Sequence, residues 1–259
     1  MTFLEIYFRA LIAIMSMMTI LWIISVFLKN VSIVDLFWGI GFIVASSCYY
    51  YYGRGNPERK IILESLVIIW GLRLSLYLAW RNHGKGEDFR YQEFRKKYGP
   101  TRYWWISYFQ VFLLQGILMW LISAPLLGAQ FLPQSGNPGI LDYLAVVTWL
   151  IGFIFEAGGD LQLARFKSDI QNRGKLLTTG FWRYTRHPNY FGDSAVWWSY
   201  GIFSIAGASY LPVIGSVLMT ALIIKVSGVA LLEKTLKGKK PGFEEYVRHT
   251  NAFLPWFPH

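Results

Sequence analysis

The run Gly180-Phe181-Trp182-Arg183-Tyr184-Thr185-Arg186-His187-Pro188-Asn189-Tyr190-Phe191-Gly192-Asp193 gathers cations, a histidine, an amide and an acid in a chain that is mostly apolar. Pro188 reads as the first residue of a helix, because its fixed φ and missing N–H suit that position. Arg186 and His187 then sit just before a helix N-terminus, whose free N–H groups and positive dipole end attract anions. Asn189 and Asp193 are four apart and share one face of that helix, with Tyr190 beside them. A cationic lip, a helix start and an inward acid at the mouth of a membrane helix suit a cofactor bearing phosphate or carboxylate groups. The alternative is an interfacial loop, with arginines snorkelling to headgroups and aromatics anchoring at the membrane surface.

Further polar residues punctuate the apolar runs. Arg73, Tyr77 and Arg81 recur at four-residue spacing and form one stripe. Arg73 lies roughly 12 Å deeper than Arg81 at 1.5 Å per residue. An arginine at that depth should face an acid or an anionic ligand. Asp35 is a helix N-cap, an arginine partner or a proton donor. Glu64, in the first turn of the third span, suits the helix dipole there and is assigned no functional role. Glu87-Asp88-Phe89-Arg90-Tyr91 is either a solvated charge cluster or part of a binding site. Glu156, Asp160 and Lys167 share a face, and Gly158-Gly159 clears space beside the acids for a helix or a ligand. Ribose hydroxyls or a cationic group would be natural partners for these acids; internal ion pairs are the alternative. Lys175 adds a phosphate candidate, and Glu233 faces the same end of the molecule. The tail from Asn251 to Pro258 is aromatic-rich and reads as an interfacial cover.

The elements that must position these residues are membrane helices. Of 259 residues, 54 % are hydrophobic and only 15 % charged, a membrane composition. The excess of 25 Lys and Arg over 15 Asp and Glu lies in loops between apolar runs, which fits membrane topology better than nucleic-acid binding. The single cysteine, Cys48, excludes an internal disulfide and a cysteine-based metal cluster, and no metal is expected. The first apolar stretch is too long for a cleaved signal peptide. With about 20 residues per crossing, the candidate spans are 6–28, 31–52, 61–80, 108–131, 140–164, 190–205 and 211–232. This predicts an all-α polytopic bundle of about seven spans in one domain, residues 1–259, the sixth span being short enough for a tilted or partial crossing. Cation-rich segments 81–107, 165–189 and the tail 233–259 fall on one side, so the N-terminus is expected outside and the C-terminus in the cytoplasm. Those three segments would form the mouth of the site. The loop 53–60, with Arg54, Arg59 and Lys60, is the one misfit.

Taken together, Trp70-Gly71-x-Arg73-Leu74, Glu87-Asp88-x-Arg90-Tyr91, Asp160-x-Gln162, Thr185-Arg186-His187-Pro188-Asn189-Tyr190-x-Gly192-Asp193 and Ser227-Gly228 with Glu233 resemble the bacterial DUF1295 family. That family is a branch of the steroid 5-alpha-reductase-like membrane proteins. The resemblance runs from the second span to the tail. It implies a seven-helix bundle in the bacterial inner membrane with NADPH at its cytoplasmic end, and reduction of a conjugated C=C bond in a lipophilic, steroid- or isoprenoid-like enone. By motif position it assigns Asn189, Asp193 and Asp160 to the cofactor, with Lys167 and Lys175 on its phosphates. Arg73, Tyr77 and Arg81 resemble the family's polar stripe. Arg73, Arg81, Arg90, Tyr91, Arg183, Arg186, His187, Tyr190 and Glu233 complete the expected cofactor set. The Gln-Glu pair and tyrosine of the steroid reductases have no counterpart here. Asp35 is the nearest acid and Tyr77 the nearest phenol, and these two are the catalytic candidates. Isoprenylcysteine and phospholipid methyltransferases share an Arg-His-Pro-x-Tyr-x-Gly motif in a related fold, so S-adenosylmethionine-dependent methyl transfer is the alternative. There Arg186, His187 and Tyr190 would hold the methionine carboxylate and adenosine. A non-catalytic lipid-binding protein is a third reading.

Overall fold

The structure, a computed structural model, describes residues 1–229, 233 and 240–258. Every regular element among them is helical. Three single helices are long and apolar enough to cross a membrane: α1 (Phe3–Leu28), α4 (Pro57–Asn82) and α9 (Ile140–Ser168). A fourth such stretch, Pro100–Phe131, joins α6 (Pro100–Ser107), a π-helical turn, α7 (Leu114–Ile122) and α8 (Ala124–Phe131). This is the polytopic, all-helical membrane architecture that the apolar runs predict. The other expected spans form shorter helices: α3 (Trp38–Tyr52), α10 (Pro188–Ala206) and the apolar stretch Leu211–Val226, which contains α11 (Ile214–Ala221). The expected end of the last span at Leu232, and the tail cations Lys234, Lys237 and Lys239, lie outside the described residues.

The chain divides into two compact units. The first comprises Met1–Pro138 and Phe203–Pro212. Its core is Ile14, Met18, Phe42, Trp70 and Met119, all fully buried. The α3 and α4 backbones meet at Gly39 and Gly71; a Cβ on Gly39 would lie 2.9 Å from the Gly71 Cα. The stretch expected to run unbroken from Val31 to Tyr52 is split at Phe37 into α2 (Ile33–Leu36) and α3. Asp35 therefore sits inside α2, whose N-cap position is Ser32, and it caps nothing. Asn56 caps α4, accepting a hydrogen bond from the Arg59 N–H at 3.0 Å, with Pro57 following it. Two of the three cations of the misfit loop have hydrogen-bond partners within the protein. Arg59 is buried and donates to the Gln134 side chain, and the Lys60 ammonium donates to the Gly53 carbonyl at 2.8 Å. Glu64 accepts hydrogen bonds from the Ser46 and Ser47 hydroxyls of α3, so it ties two helices together rather than serving the α4 dipole.

The second unit comprises Gly139–Ile202 and Val213–His259. It holds α9, most of α10, α11 and a short α12 (Phe243–His249). Helices α9 and α10 approach backbone to backbone. A Cβ on Gly152 would lie 2.7 Å from the Gly192 carbonyl oxygen, and one on Gly159 would lie 3.1 Å from the Asn189 nitrogen. Small residues at such crossings are what close helix packing in a membrane requires. Pro188 opens α10, as its position in the motif predicts.

Candidate functional site

Among the described residues, each unit carries polar clusters. In the first, α2 and α5 (Phe89–Tyr98) meet at Asp35. The Tyr91 hydroxyl donates to Asp35 Oδ1 at 2.7 Å, and Arg90 Nη2 donates to Asp35 Oδ2 at 2.9 Å. Asp35 is thus the arginine partner among the roles open to it. Asp88 is the N-cap of α5, accepting from the Arg90 N–H at 3.0 Å, and its carboxylate also takes the Arg90 Nε–H at 2.9 Å. Burial alone would push the Asp88 carboxyl up, yet the hydrogen bonds and charge of Arg90 outweigh it and hold it below its ordinary value. Burial raises the Tyr91 phenol, and the charge of Asp35 raises it further, so Tyr91 stays a neutral donor. On α4 the expected stripe is real. The Arg73 and Arg81 guanidinium groups flank the Tyr77 ring at 5.3 and 5.7 Å from its centroid.

In the second unit the glycine crossing brings Asn189 onto Asp160: the Asn189 amide donates to Asp160 Oδ1 at 3.1 Å. Asp160 and its neighbour Glu156 are both buried, and Asp193 is half-buried on the α10 face it shares with Asn189. Gly180 adopts φ of 63°, a left-handed conformation that turns the chain so that the Phe181 N–H meets Gln162 Oε1 at 3.0 Å. Phe181 lies over Gly158, and Trp182 Nε1 donates to the Gly159 carbonyl at 3.2 Å. Gly158-Gly159 thus clears space for this turn and for α10.

The Arg186-His187 segment is clasped by the tail. Arg186 is buried; its Nη2 and Nε lie 2.7 and 2.8 Å from Glu233 Oε1. Its Nη1 donates to the Thr250 and Val247 carbonyls. The Thr185 hydroxyl donates to the Phe253 carbonyl at 2.9 Å, the Arg186 N–H to the Asn251 carbonyl at 2.9 Å, and the Trp256 N–H to the Tyr184 carbonyl at 2.9 Å. The Tyr246 hydroxyl donates to the Trp182 carbonyl, and burial raises its phenol. His187 Nε2 lies 3.3 Å from Glu233 Oε1, and its ring stacks on Tyr190 at 5.5 Å. Burial lowers the His187 imidazole, with Arg186 adding to the effect and Glu233 opposing it.

The expected site residues therefore fall into groups. Asp35, Arg90 and Tyr91 form one network, with Arg73, Tyr77 and Arg81 as a stripe on the same unit. Asp160 and Asn189 pair in the second unit; Arg186, His187 and Glu233 form a clamp, with Tyr190 stacked on it. Lys167 near the end of α9, and Lys175 and Arg183 in the segment that follows it, are exposed cations. One residue left undecided by the sequence is Glu87. Its carboxylate accepts from the Val31 N–H at 2.8 Å and from Arg95 Nε and Nη2 at 2.9 and 2.8 Å. Glu87 precedes the α5 cap, so no helical spacing links it to Arg95. Only the acid-rich start of the run hints at it.

The family described as "Protein of unknown function (DUF1295)" matches residues 21–250, a range that includes Asp35, Asp160, Arg186 and Glu233. An uncharacterised protein of Schizosaccharomyces pombe is 26 % identical over 260 residues, covering 91 % of this chain and 76 % of the relative. No solved structure matches the chain. With most of its length matched, the chain belongs to the DUF1295 family.

Proposed function

We propose that this protein is a membrane-embedded, NADPH-dependent reductase that saturates a conjugated C=C bond of a lipophilic enone. The observation that carries the reading is the Asp160–Asn189 pair, a buried acid joined to an amide where α9 and α10 cross on glycine. A carboxylate is a hydrogen-bond acceptor with about four lone-pair sites, the chemistry that ribose hydroxyls require. Lys167 follows Asp160 by seven residues, roughly 10 Å along the helix. With Lys175 and Arg183 it supplies exposed cations suited to phosphates. This donor set fits a dinucleotide. Arg186 stands apart from it, since Glu233 and the tail carbonyls engage its guanidinium. Its role in the proposal is to anchor the start of α10 and so aim Asn189.

When bound, NADPH would supply the hydride that the β-carbon of the enone receives. The chain's own part is positioning and polarisation. Within the first unit, Tyr77 is the candidate hydrogen-bond donor to a carbonyl oxygen, with Asp35 as the acid that tunes it. Arg90 and Tyr91 fix the orientation of Asp35 through its two oxygens. Apolar helices exclude water and strengthen each polar contact.

The test is thermal stability of the purified protein in detergent with NADPH, NADH or S-adenosylmethionine. A ligand at 100 times its dissociation constant stabilises by roughly 2.7 kcal/mol. The reading expects a response to NADPH that disappears in Asp160→Ala. A response to S-adenosylmethionine alone would transfer these residues to methyl transfer and end the reductase reading.

A further inference from the structure

The first unit holds a second feature that the reductase reading does not use. A cleft of about 550 Å³ opens between the C-terminal end of α1 and the α5–α6 segment. Its apolar wall includes Val26, Val31 and Trp104, and its polar wall includes Lys29, Arg95 and Tyr103. Trp22 and Trp104 stack at 6.1 Å beside it, and Trp22 Nε1 donates to the Trp104 carbonyl at 2.7 Å. Tryptophans at the ends of two apolar helices, α1 and Pro100–Phe131, mark a membrane–water interface.

Three polar groups on this cleft are uncommitted. The Lys29 ammonium has no ion pair among the described residues. Arg95 spends Nε and Nη2 on Glu87 and on the Lys29 carbonyl, leaving Nη1 with no protein acceptor among the described residues. The Tyr103 hydroxyl is fully buried without a hydrogen-bond partner, although the Arg95 guanidinium lies 5.0 Å from the centroid of its ring. A buried hydroxyl without a partner is destabilising, so the site is incomplete as a purely structural element. Lys29 and Arg95 against Glu87 leave the lining one positive charge in excess, and Lys96, Lys97 and Arg102 lie close along the chain. A basic pocket beside a membrane helix is the arrangement that receives phosphate headgroups.

We propose that this cleft binds the phosphate of an anionic amphiphile, with Lys29 and the Arg95 Nη1 group on its oxygens and the Tyr103 hydroxyl donating to it. Trp22 and Trp104 then border the start of its acyl chains. The proposal is independent of the cofactor site.

The test titrates the full chain in detergent with short-chain phosphatidylglycerol, with phosphatidylcholine of the same chains, and with inorganic phosphate. Binding is read by thermal stability and native mass spectrometry. Saturable binding of phosphatidylglycerol, with little response to phosphatidylcholine or inorganic phosphate, identifies a lipid headgroup. Binding of inorganic phosphate with similar strength identifies a soluble phosphate ester, with the same chemistry at the same groups. Lys29→Asn, which suits the left-handed backbone at this position (φ 52°), should weaken binding about 10-fold or more. Tyr103→Phe should weaken it about 5- to 10-fold while leaving stability without ligand unchanged or higher, because it removes no protein hydrogen bond. Equal responses to the two lipids, or binding untouched by both variants, overturns the proposal. So does loss of an NADPH response in these variants, which would make the cleft part of the cofactor site.

Discussion

Glu233→Gln is the sharpest perturbation of the clamp that holds the start of α10. Glu233 Oε1 lies 2.7 Å from Arg186 Nη2, with Arg186 8 % exposed and Glu233 27 % exposed. Removing one partner of a fully buried pair costs about 3–5 kcal/mol, because the remaining charge is stranded. Two features reduce that figure here: Glu233 is partly solvated, and Arg186 keeps its bonds to the Thr250 and Val247 carbonyls. A cost of about 2 kcal/mol follows, which for a chain of this size lowers Tm by about 4–8 °C. The assay is thermal unfolding in detergent of wild type, Glu233→Gln, Arg186→Met and the double variant. The cycle should give a coupling energy of about 1.5–2 kcal/mol. A coupling below about 0.5 kcal/mol would refute the clamp and return Arg186 to the cations open to a phosphate.

Three further outcomes follow from the same geometry. His187 is held neutral by burial, so the unfolded chain takes up its proton near pH 6.5 while the native state takes it lower. Its contribution is present above the unfolded value near pH 6.5 and fades as the pH falls below it, so on acidification through that point Tm should drop more steeply in wild type than in His187→Gln. Gly192→Ala forces a methyl into the α9 backbone at Gly152 and Glu156 and should destabilise by about 1–3 kcal/mol, whereas Gly86→Ala, with open space around it, should be neutral in the same unfolding assay. Lys175→Ala removes an exposed cation and should change stability by less than about 0.5 kcal/mol while weakening NADPH binding in a titration, and Lys167→Ala should weaken NADPH binding as well.

What the sequence made legible followed strong local rules. Pro188 as a helix start, the Arg73–Tyr77–Arg81 stripe and the space cleared by Gly158-Gly159 all depend on neighbours within a turn or two. The α9–α10 crossing also involves Gly152 and Gly192, whose significance emerges only when two helices lie side by side. Long-range partnerships were less accessible. Arg186 sits beside a helix N-terminus, which on local grounds invites an anion. Its partners, Glu233 and the carbonyls of Val247 and Thr250, come from 47, 61 and 64 residues away, and no spacing rule connects them. Asp35 was open between cap, ion pair and donor because α2 is only four residues long and leaves no periodic signal. The break at Phe37 was hidden for a related reason: Leu36-Phe37-Trp38 continues the apolar run, and hydropathy does not report an interruption of the helix. The cations of the loop 53–60 conflicted with the expected topology as a count of charges. As side chains, Arg59 and Lys60 are committed to Gln134 and the Gly53 carbonyl.

The measurement that bears most directly on the proposed activity is a binding titration of NADPH against the purified protein, followed by addition of lipophilic enones while the absorbance of the reduced nicotinamide is monitored. The proposal expects saturable binding in wild type, loss of binding in Asp160→Ala, and enone-dependent oxidation that Tyr77→Phe slows without abolishing binding. Folded protein, free of copurified cofactor, that binds S-adenosylmethionine but neither nicotinamide cofactor would contradict it.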